Sequence, residues 1–456
     1  MEIINTIFYF LIVIGILVFI HEFGHFIAAR ACGMRAEVFA FGMGFRLFGY
    51  NKINGFSFGK LDETIDLGDH TDYRVCAFPI GGFVKIAGMI DESMDKEFVK
   101  TEPQPWEYRS KSVWKRMIVI TAGVIMNILL ALVIFYTINL VKGKSLVDTT
   151  IIGYVQKNSV AYEYGLKAGD KVLSINNKDV KFWDDIRNSV FIDNMGESLS
   201  FKVLRNNQET IINIPKEKLS LSGEKDLGIS TEGIIPVINE VITDKPAEKI
   251  GIQKGDIITV FAGEKIINPL QLTDLIKDNA NKDSKIEWKR NGQNFNAIVK
   301  PLPDSTIGIS ISSKYEGPIK EINYNVISAV PKAASDLYYY GIEIFFKSIA
   351  KIIKGDIPFK KAIGGPIKIA QASAQSAEGG FFTFIGFVAL LSMSLAVINI
   401  LPFPALDGGH FILLIIEGIF RRPVPFKVQE VLQKIGFALL IAFMLFVLYN
   451  DIISVK

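Results

Sequence analysis

Four stretches with no charged residue constrain this 456-residue chain more than any other feature: residues 3–20, 117–141, 381–406 and 435–450, the last extended by 452–455. A helix that crosses a bilayer needs about 20 apolar residues, so the first three qualify directly and the fourth with its extension. Buried helices of a large soluble core are the alternative, and runs of this length argue against them. A mean hydropathy of +0.30 is high for a soluble protein. Yet 50 Lys and Arg with 47 Asp and Glu are too many for a chain lying wholly in lipid. Part of the molecule is therefore expected in the bilayer and part in water. The net charge of +3 reflects near-balance of the two signs, which excludes a nucleic-acid partner. The only cysteines, Cys32 and Cys76, leave the rest of the chain without a disulfide framework or a Cys-based zinc site.

The first run begins Met1-Glu2, with no basic n-region and no small-residue cleavage site after it, so it is read as an uncleaved span. In a four-span topology, Arg30, Arg35, Lys111, Lys115 and Arg116 share a side with Arg421, Arg422, Lys427 and Lys434. The positive-inside rule makes that side cytoplasmic. Both termini and the segment 143–380 then face outward.

That segment repeats itself. Residues 161–176, AYEYGLKAGDKVLSIN, align with 247–262, AEKIGIQKGDIITVFA, and Arg205-Asn206-Asn207-Gln208 aligns with Arg290-Asn291-Gly292-Gln293. Each copy reads as a helical turn ending at Gly165 or Gly251, a Gly-Asp pair, an alternating strand and a hairpin closed at Asn206-Asn207 or Asn291-Gly292. The pattern resembles the PDZ domain in its circularly permuted bacterial form, with Gly-Leu-x-x-Gly-Asp as the recurrent core. That resemblance implies that peptide ends bind by strand addition to a sheet edge. The alternative is a pair of spacers whose grooves bind nothing. Farther on, 330–353 is a helix candidate with interspersed lysines, either lying on the membrane surface or packed on the second repeat.

His21-Glu22-Phe23-Gly24-His25 interrupts the first apolar run. With four histidines in the chain, chance would supply about 0.002 such H-E-x-x-H matches. An ionisable side chain at mid-bilayer costs about 2.5–3.5 kcal/mol, so three within five residues need a compensating partner, and a metal ion is one. On a helix His21 and His25 lie one turn apart and face the same way, so both imidazoles can reach one zinc. Glu22 sits about 100° around the helix, beside the metal without ligating it, where it can take a proton from metal-activated water. A catalytic zinc of this kind has a third protein ligand and an open position. Asp407 is the candidate, at the end of the third run in NILPFPALDGGH (399–410). Pro402 and Pro404 break the helix there, and Gly408-Gly409 allow close backbone approach. The same carboxylate would also serve as an interfacial cap. His410 is assigned a supporting or structural duty. His70, among Asp66, Asp69 and Asp72, is read as a solvated surface residue. Iron or cobalt would suit the same ligands as zinc.

Taken together these residues resemble the site-2 protease family of intramembrane zinc metalloproteases, in the bacterial form with four spans and tandem PDZ domains. The matching motifs are His21-Glu22-x-x-His25, Gly123-x-x-x-Asn127, Asn399-x-x-Pro402 and Leu406-Asp407-Gly408. The resemblance implies Zn2+ on His21, His25 and Asp407, with Glu22 as the catalytic acid and base. It also implies that Asn127 and Asn399 position substrate or stabilise charge on its carbonyl. Val124 stands after Gly123 where many members have proline, a departure that leaves the zinc set untouched.

FPIGGFVKIAG (78–88) likewise resembles the family's β-hairpin that dips toward the membrane between spans one and two. Its alternation and central glycines support a hairpin independently. Phe78, Gly81, Gly82 and Phe83 are thus substrate-binding candidates. A membrane-embedded substrate is helical and must unwind to be cut, and an edge strand at 75–78 or 83–86 would satisfy its freed backbone groups.

The expected architecture is a multi-pass α-helical membrane protein with four transmembrane helices, a membrane-associated β-hairpin and two small α+β PDZ-like domains. Its parts are 1–142 with spans one and two, 143–220 and 221–315 for the repeats, 316–380 as a linker with the surface helix, and 381–456 with spans three and four. The resemblance implies a transmembrane substrate of the anti-sigma factor type, with remnant signal peptides as a second candidate. It also implies a place in a bacterial inner membrane, in contact with the lipid bilayer, with the repeats in the periplasm. Two other function classes stay open. One is a non-catalytic scaffold recruiting peptides through its repeats, against which the intact Glu22 counts. The other is a metal transporter, against which the lack of recurring charged and His residues in the other spans counts.

Overall fold

The structure is a computed structural model that describes residues 2–61, 67–89, 102–219, 227–355, 357–362 and 364–454. Asp66 and the expected domain boundary at 220/221 lie outside those residues. The chain forms two compact units, one of Met1–Lys142, Tyr324–Ala350 and Ala362–Lys456, the other of Gly143–Asn323 and Lys351–Lys361.

The first unit opens with helix α1 (Glu2–Ala31), followed by strands β1 (Ala36–Asn51), β2 (Gly55–Phe58) and β3 (Asp72–Ile86), and helix α2 (Val113–Lys142). α1 and α2 pack along their length at small residues. A Cβ on Gly24 would meet the Ala122 carbonyl carbon at 2.8 Å, so only glycine admits that approach. The strands form one sheet in the order β2-β1-β3. Ala36 lies opposite Ile86, Phe41 opposite Gly82 and Phe48 opposite Val75. Phe39–Phe41 also oppose Tyr73–Val75, so that half of β1 is flanked on both sides and Gly82–Ile86 is left as an edge. Of the two expected edge segments, 83–86 is one and 75–78 is not, because Val75 is paired with both Phe41 and Phe48. The sheet hides its charge and displays its aromatics. Arg46 holds the buried Asp72 carboxylate through two 3.2 Å bonds, while Phe45, Tyr50, Phe56, Phe58 and Phe78 are exposed. Such a surface suits lipid rather than water.

The second unit holds the repeats. The first lobe comprises β4 (Lys144–Val147), β5 (Ile152–Val155), α3 (Val160–Glu163), β6 (Lys171–Ile175), β7 (Lys178–Asp179), α4 (Trp183–Asn188), β8 (Leu199–Arg205), β9 (Gln208–Ile214) and β10 (Ile229–Thr231). The second comprises β11 (Ile234–Val241), α5 (Pro246–Lys249), β12 (Ile257–Phe261), β13 (Glu264–Lys265), α6 (Pro269–Asp278), β14 (Ser284–Arg290), β15 (Gln293–Val299) and β16 (Ile309–Tyr315), and β17 (Ile319–Ile322) follows. Each lobe has its own apolar core, one around Phe201 and Ile214, the other around Phe261 and Leu272. β10 pairs with β5 of the first lobe, so the stretch 229–231, expected in the second domain, closes the first. β17 pairs with β4, which brings the two ends of the insertion together and moves the start of the linker past 322. A cavity of about 340 Å3 lies in this unit, lined in part by Trp183, Ile186, Ile229, Leu270 and Tyr315.

The chain then runs through α7 (Ala329–Asp336), a π-helical stretch Leu337–Glu343, α8 (Ile344–Lys354), α9 (Phe359–Ala362), α10 (Pro366–Glu378), α11 (Phe381–Ile400), α12 (Asp407–Phe420) and α13 (Phe426–Ser454). Among the described residues four helices, α1, α2, α11 and α13, are long and apolar enough to cross a membrane. α12 was not expected. Its 14 residues, about 21 Å, are too short to span, and it occupies part of what the sequence suggested was a connecting segment. Ala333, Leu337 and Phe345 pack with Phe135 and Met393 of α2 and α11. Lys351, at the end of that helical run, donates to the Asp193 carbonyl of the first lobe at 2.9 Å. Of the two readings of 330–353, membrane surface or packing on the second repeat, these contacts give no support to the second.

Candidate active site

Helical spacing puts His21 and His25 on one face of α1, and both are buried. Their Nε2 atoms are 3.2 Å apart. Asp407 stands at the first turn of α12, where the helix dipole favours a carboxylate. It reaches this point through a tight turn after α11, in which Ala405 takes φ +74° and Phe403 N–H donates to the Leu401 carbonyl at 2.7 Å. The turn folds back so closely that a Cβ on Gly408 would strike the carbonyl of Leu401. Asp407 Oδ2 lies 3.2 Å from His21 Nε2 and 3.5 Å from His25 Nε2.

These spacings suit a metal. Ligand atoms about 2.0–2.1 Å from a tetrahedral zinc are about 3.3 Å from each other. Asp407 Oδ2 is buried and accepts no hydrogen bond, a position that is unfavourable unless a cation takes its charge. His25 Nδ1 donates to the Val119 carbonyl at 2.8 Å, so its Nε2 lone pair faces the other two atoms. Two imidazole nitrogens and one carboxylate oxygen therefore converge as a donor set that fits zinc. Among the described residues they are the one such His, Cys, Asp and Glu group.

The other expected residues fall in different places. Glu22 follows His21 on α1, and its Cγ is 3.5 Å from where a Cβ on Gly82 would stand, so the acid lies beside the open strand edge. Phe83 packs with Val38, Ala40 and Cys76. Phe78 is exposed and opposite Met43, and Gly81, next to Gly82 in the chain, abuts the Met43 side chain. Asn399 Nδ2 is 3.5 Å from His21 Nε2, on the side of the converging atoms. Asn127 is fully buried and meets His21 from behind, Nδ2 to Nδ1 at 3.2 Å. His410 stays out of the donor set and lines a cavity of about 40 Å3 with Tyr108, Arg116 and Glu417. Arg116 donates to both Glu417 oxygens, at 3.0 and 2.5 Å. His70 is far along the chain from this group, its N–H donating to the Leu67 carbonyl.

Sequence reasoning named Gly123 without giving it a role and missed the Val119 carbonyl. Gly123 matters for its lack of a side chain, since a Cβ there would lie 2.7 Å from His21 Cε1 and would also strike His25 Nε2. The Gly123-x-x-x-Asn127 spacing was a usable signal, because it sets both residues on one face of α2. The Val119 carbonyl left no signal, since every residue has one.

A family model for peptidase family M50 matches residues 9–443. The regulator of sigma E protease of Haemophilus influenzae is 29% identical, over 97% of this chain and 97% of its own. The regulator of sigma-E protease RseP of Escherichia coli K12 is 28% identical over the same shares. A solved PDZ domain, from the SdrC-like protein of Listeria monocytogenes, is 25% identical over 18% of this chain and 90% of its own, with a TM-score of 0.16.

Proposed function

The chain belongs to peptidase family M50 and is an intramembrane zinc metalloprotease, and we propose that His21, His25 and Asp407 hold its zinc while Glu22 is its general base. The observation that carries this assignment is the convergence of Nε2, Nε2 and Oδ2 at 3.2–3.5 Å, with Oδ2 buried and accepting no hydrogen bond. Bound there, zinc supplies Lewis acidity that polarises water and the substrate carbonyl.

The rest is done by the chain. Val119 and the α1–α2 contact hold the imidazoles. Glu22 takes a proton from the attacking water and returns it to the leaving amine. Gly82–Ile86, the open edge of β3, receives the unwound substrate as an added strand, so the freed peptide groups stay hydrogen-bonded away from water. Gly82 brings that strand alongside Glu22. Asn399, on the same side as the converging atoms, is placed to donate to the substrate carbonyl.

We assign the substrate to the anti-sigma factor type, a transmembrane protein; relatives named as regulators of sigma E support a substrate in sigma-factor control. The strand-rich unit lies on the periplasmic side of a bacterial inner membrane in this reading, as the distribution of Lys and Arg suggests. Its 340 Å3 cavity has room for an apolar peptide end, and Thr231 Oγ1, buried without a partner, is a polar contact for one. The test compares wild type with Glu22→Gln for zinc content and for cleavage of a model transmembrane substrate. Zinc should be retained, and cleavage should fall by about 10²–10⁴-fold. A Glu22→Gln protein that cleaves as fast as wild type would overturn the assignment.

A further inference from the structure

We infer that Asn127 is a positioning residue for His21, acting through its side-chain oxygen, and is not a substrate contact. The inference rests on the zinc ligand set proposed above.

A histidine that ligates through Nε2 carries its proton on Nδ1 and needs an acceptor there. His25 has one in the Val119 carbonyl. For His21 the group opposite Nδ1 is the Asn127 carboxamide, 3.2 Å away and fully buried. With Nδ2 turned to the ring, two atoms are badly served. Nδ1 is opposed by a donor, and Asn127 Oδ1 is buried with no partner at all. Turning the carboxamide by 180° exchanges nitrogen and oxygen within the same volume. Oδ1 then accepts from His21 Nδ1–H, and the Nε2 lone pair is left facing Asp407 and His25. One rotation satisfies a buried acceptor and sets the tautomer that a metal requires.

The location of Asn127 excludes the alternative role. It has no exposed surface, and His21 stands between it and the converging atoms. Its backbone carbonyl also accepts from Ser392 Oγ at 2.8 Å, tying the α2 backbone at this point to α11. A substrate carbonyl can be met by Asn399 but not by a residue sealed behind the imidazole.

The test measures zinc affinity by chelator competition in full-length wild type, Asn127→Leu, Asn127→Asp and Asp407→Asn. It adds the d–d spectrum of the cobalt-loaded proteins and the KM and kcat for cleavage at saturating zinc. Asn127→Leu keeps the branched shape and removes the acceptor, so affinity should fall about 10–100-fold with an altered cobalt spectrum and an unchanged KM. Asn127→Asp keeps an acceptor and should bind within a few-fold of wild type. Equal affinity in Asn127→Leu and wild type, or a raised KM with affinity intact, would overturn the inference, as would equal losses in the Leu and Asp variants. If Asp407→Asn binds zinc as wild type does, the proposed ligand set itself is at fault, which is a separate failure.

Discussion

Asp256 in the strand-rich unit is a fully buried carboxylate and Asp407 in the membrane unit a part-buried one with an enclosed Oδ2, and the two are partnered in opposite ways. Asp256 accepts from Arg290 Nε at 2.7 Å, from Arg290 Nη2 at 2.8 Å and from Gln253 N–H at 2.8 Å. The first lobe repeats the arrangement almost atom for atom, with Asp170 accepting from Arg205 at 2.7 Å twice and from Lys167 N–H at 2.9 Å. In both lobes the same guanidinium also donates to a helix-ending carbonyl, Gly251 or Gly165. These carboxylates are fully satisfied by their own domain. Asp407 Oδ2 accepts nothing and converges with two imidazole nitrogens. Burial alone does not separate framework from chemistry. The separating property is whether the protein supplies every partner the buried charge requires.

The two carboxylates should therefore respond to mutation in different ways. The largest effect is expected from Asp407→Asn. With about 10–16 kcal/mol of zinc binding shared among three protein ligands, losing one should weaken affinity by about 10²–10⁴-fold. Cleavage should vanish while denaturant unfolding of the strand-rich unit is unmoved. Next comes Arg290→Ala, which strands Asp256 as an unpaired buried charge. The second lobe should unfold at a lower urea midpoint in a titration followed through Trp288, whose ring stacks on Phe295 in that lobe. Zinc affinity should stay within twofold of wild type, and a parallel loss would erase the distinction. The smallest expected effect sharpens the comparison on the membrane side. Gly123→Ala should crowd both imidazoles by about 1–3 kcal/mol, seen as zinc affinity about tenfold or more weaker with α-helix content unchanged.

Much of this architecture was legible in the chain because its signals are local or periodic. The 85- and 86-residue offsets marked two copies of one fold, and in the structure the aligned Gly-Asp and Arg residues are the two ends of one clamp. The hairpin turns fell where Asn206-Asn207 and Asn291-Gly292 stand, because both adopt positive φ readily there. The misreadings share a different cause. β10 and β17 are three and four residues long, and a strand that short is defined by the neighbour it pairs with rather than by its own pattern. α12 was hidden because Asp407-Gly408-Gly409 looks like a loop until the preceding turn packs on it. Asn127 carried a motif, but the sequence could not tell the front of His21 from its back.

What the residues determined unaided is what one helix or one repeat can hold. His21 and His25 share a face because the α-helix turns every 3.6 residues, and the apolar runs must be helical because lipid offers their backbones no other partner. Only the tertiary structure brought Asp407, which the sequence had nominated, within reach of them, and decided which strand edge lies open beside Glu22 and which atom buttresses each imidazole. Those outcomes depend on contacts between segments up to hundreds of residues apart, and on close approaches that glycine permits without specifying. The physical reason is range: a helix or a turn is set by neighbours a few residues away, whereas a ligand set is made by packing.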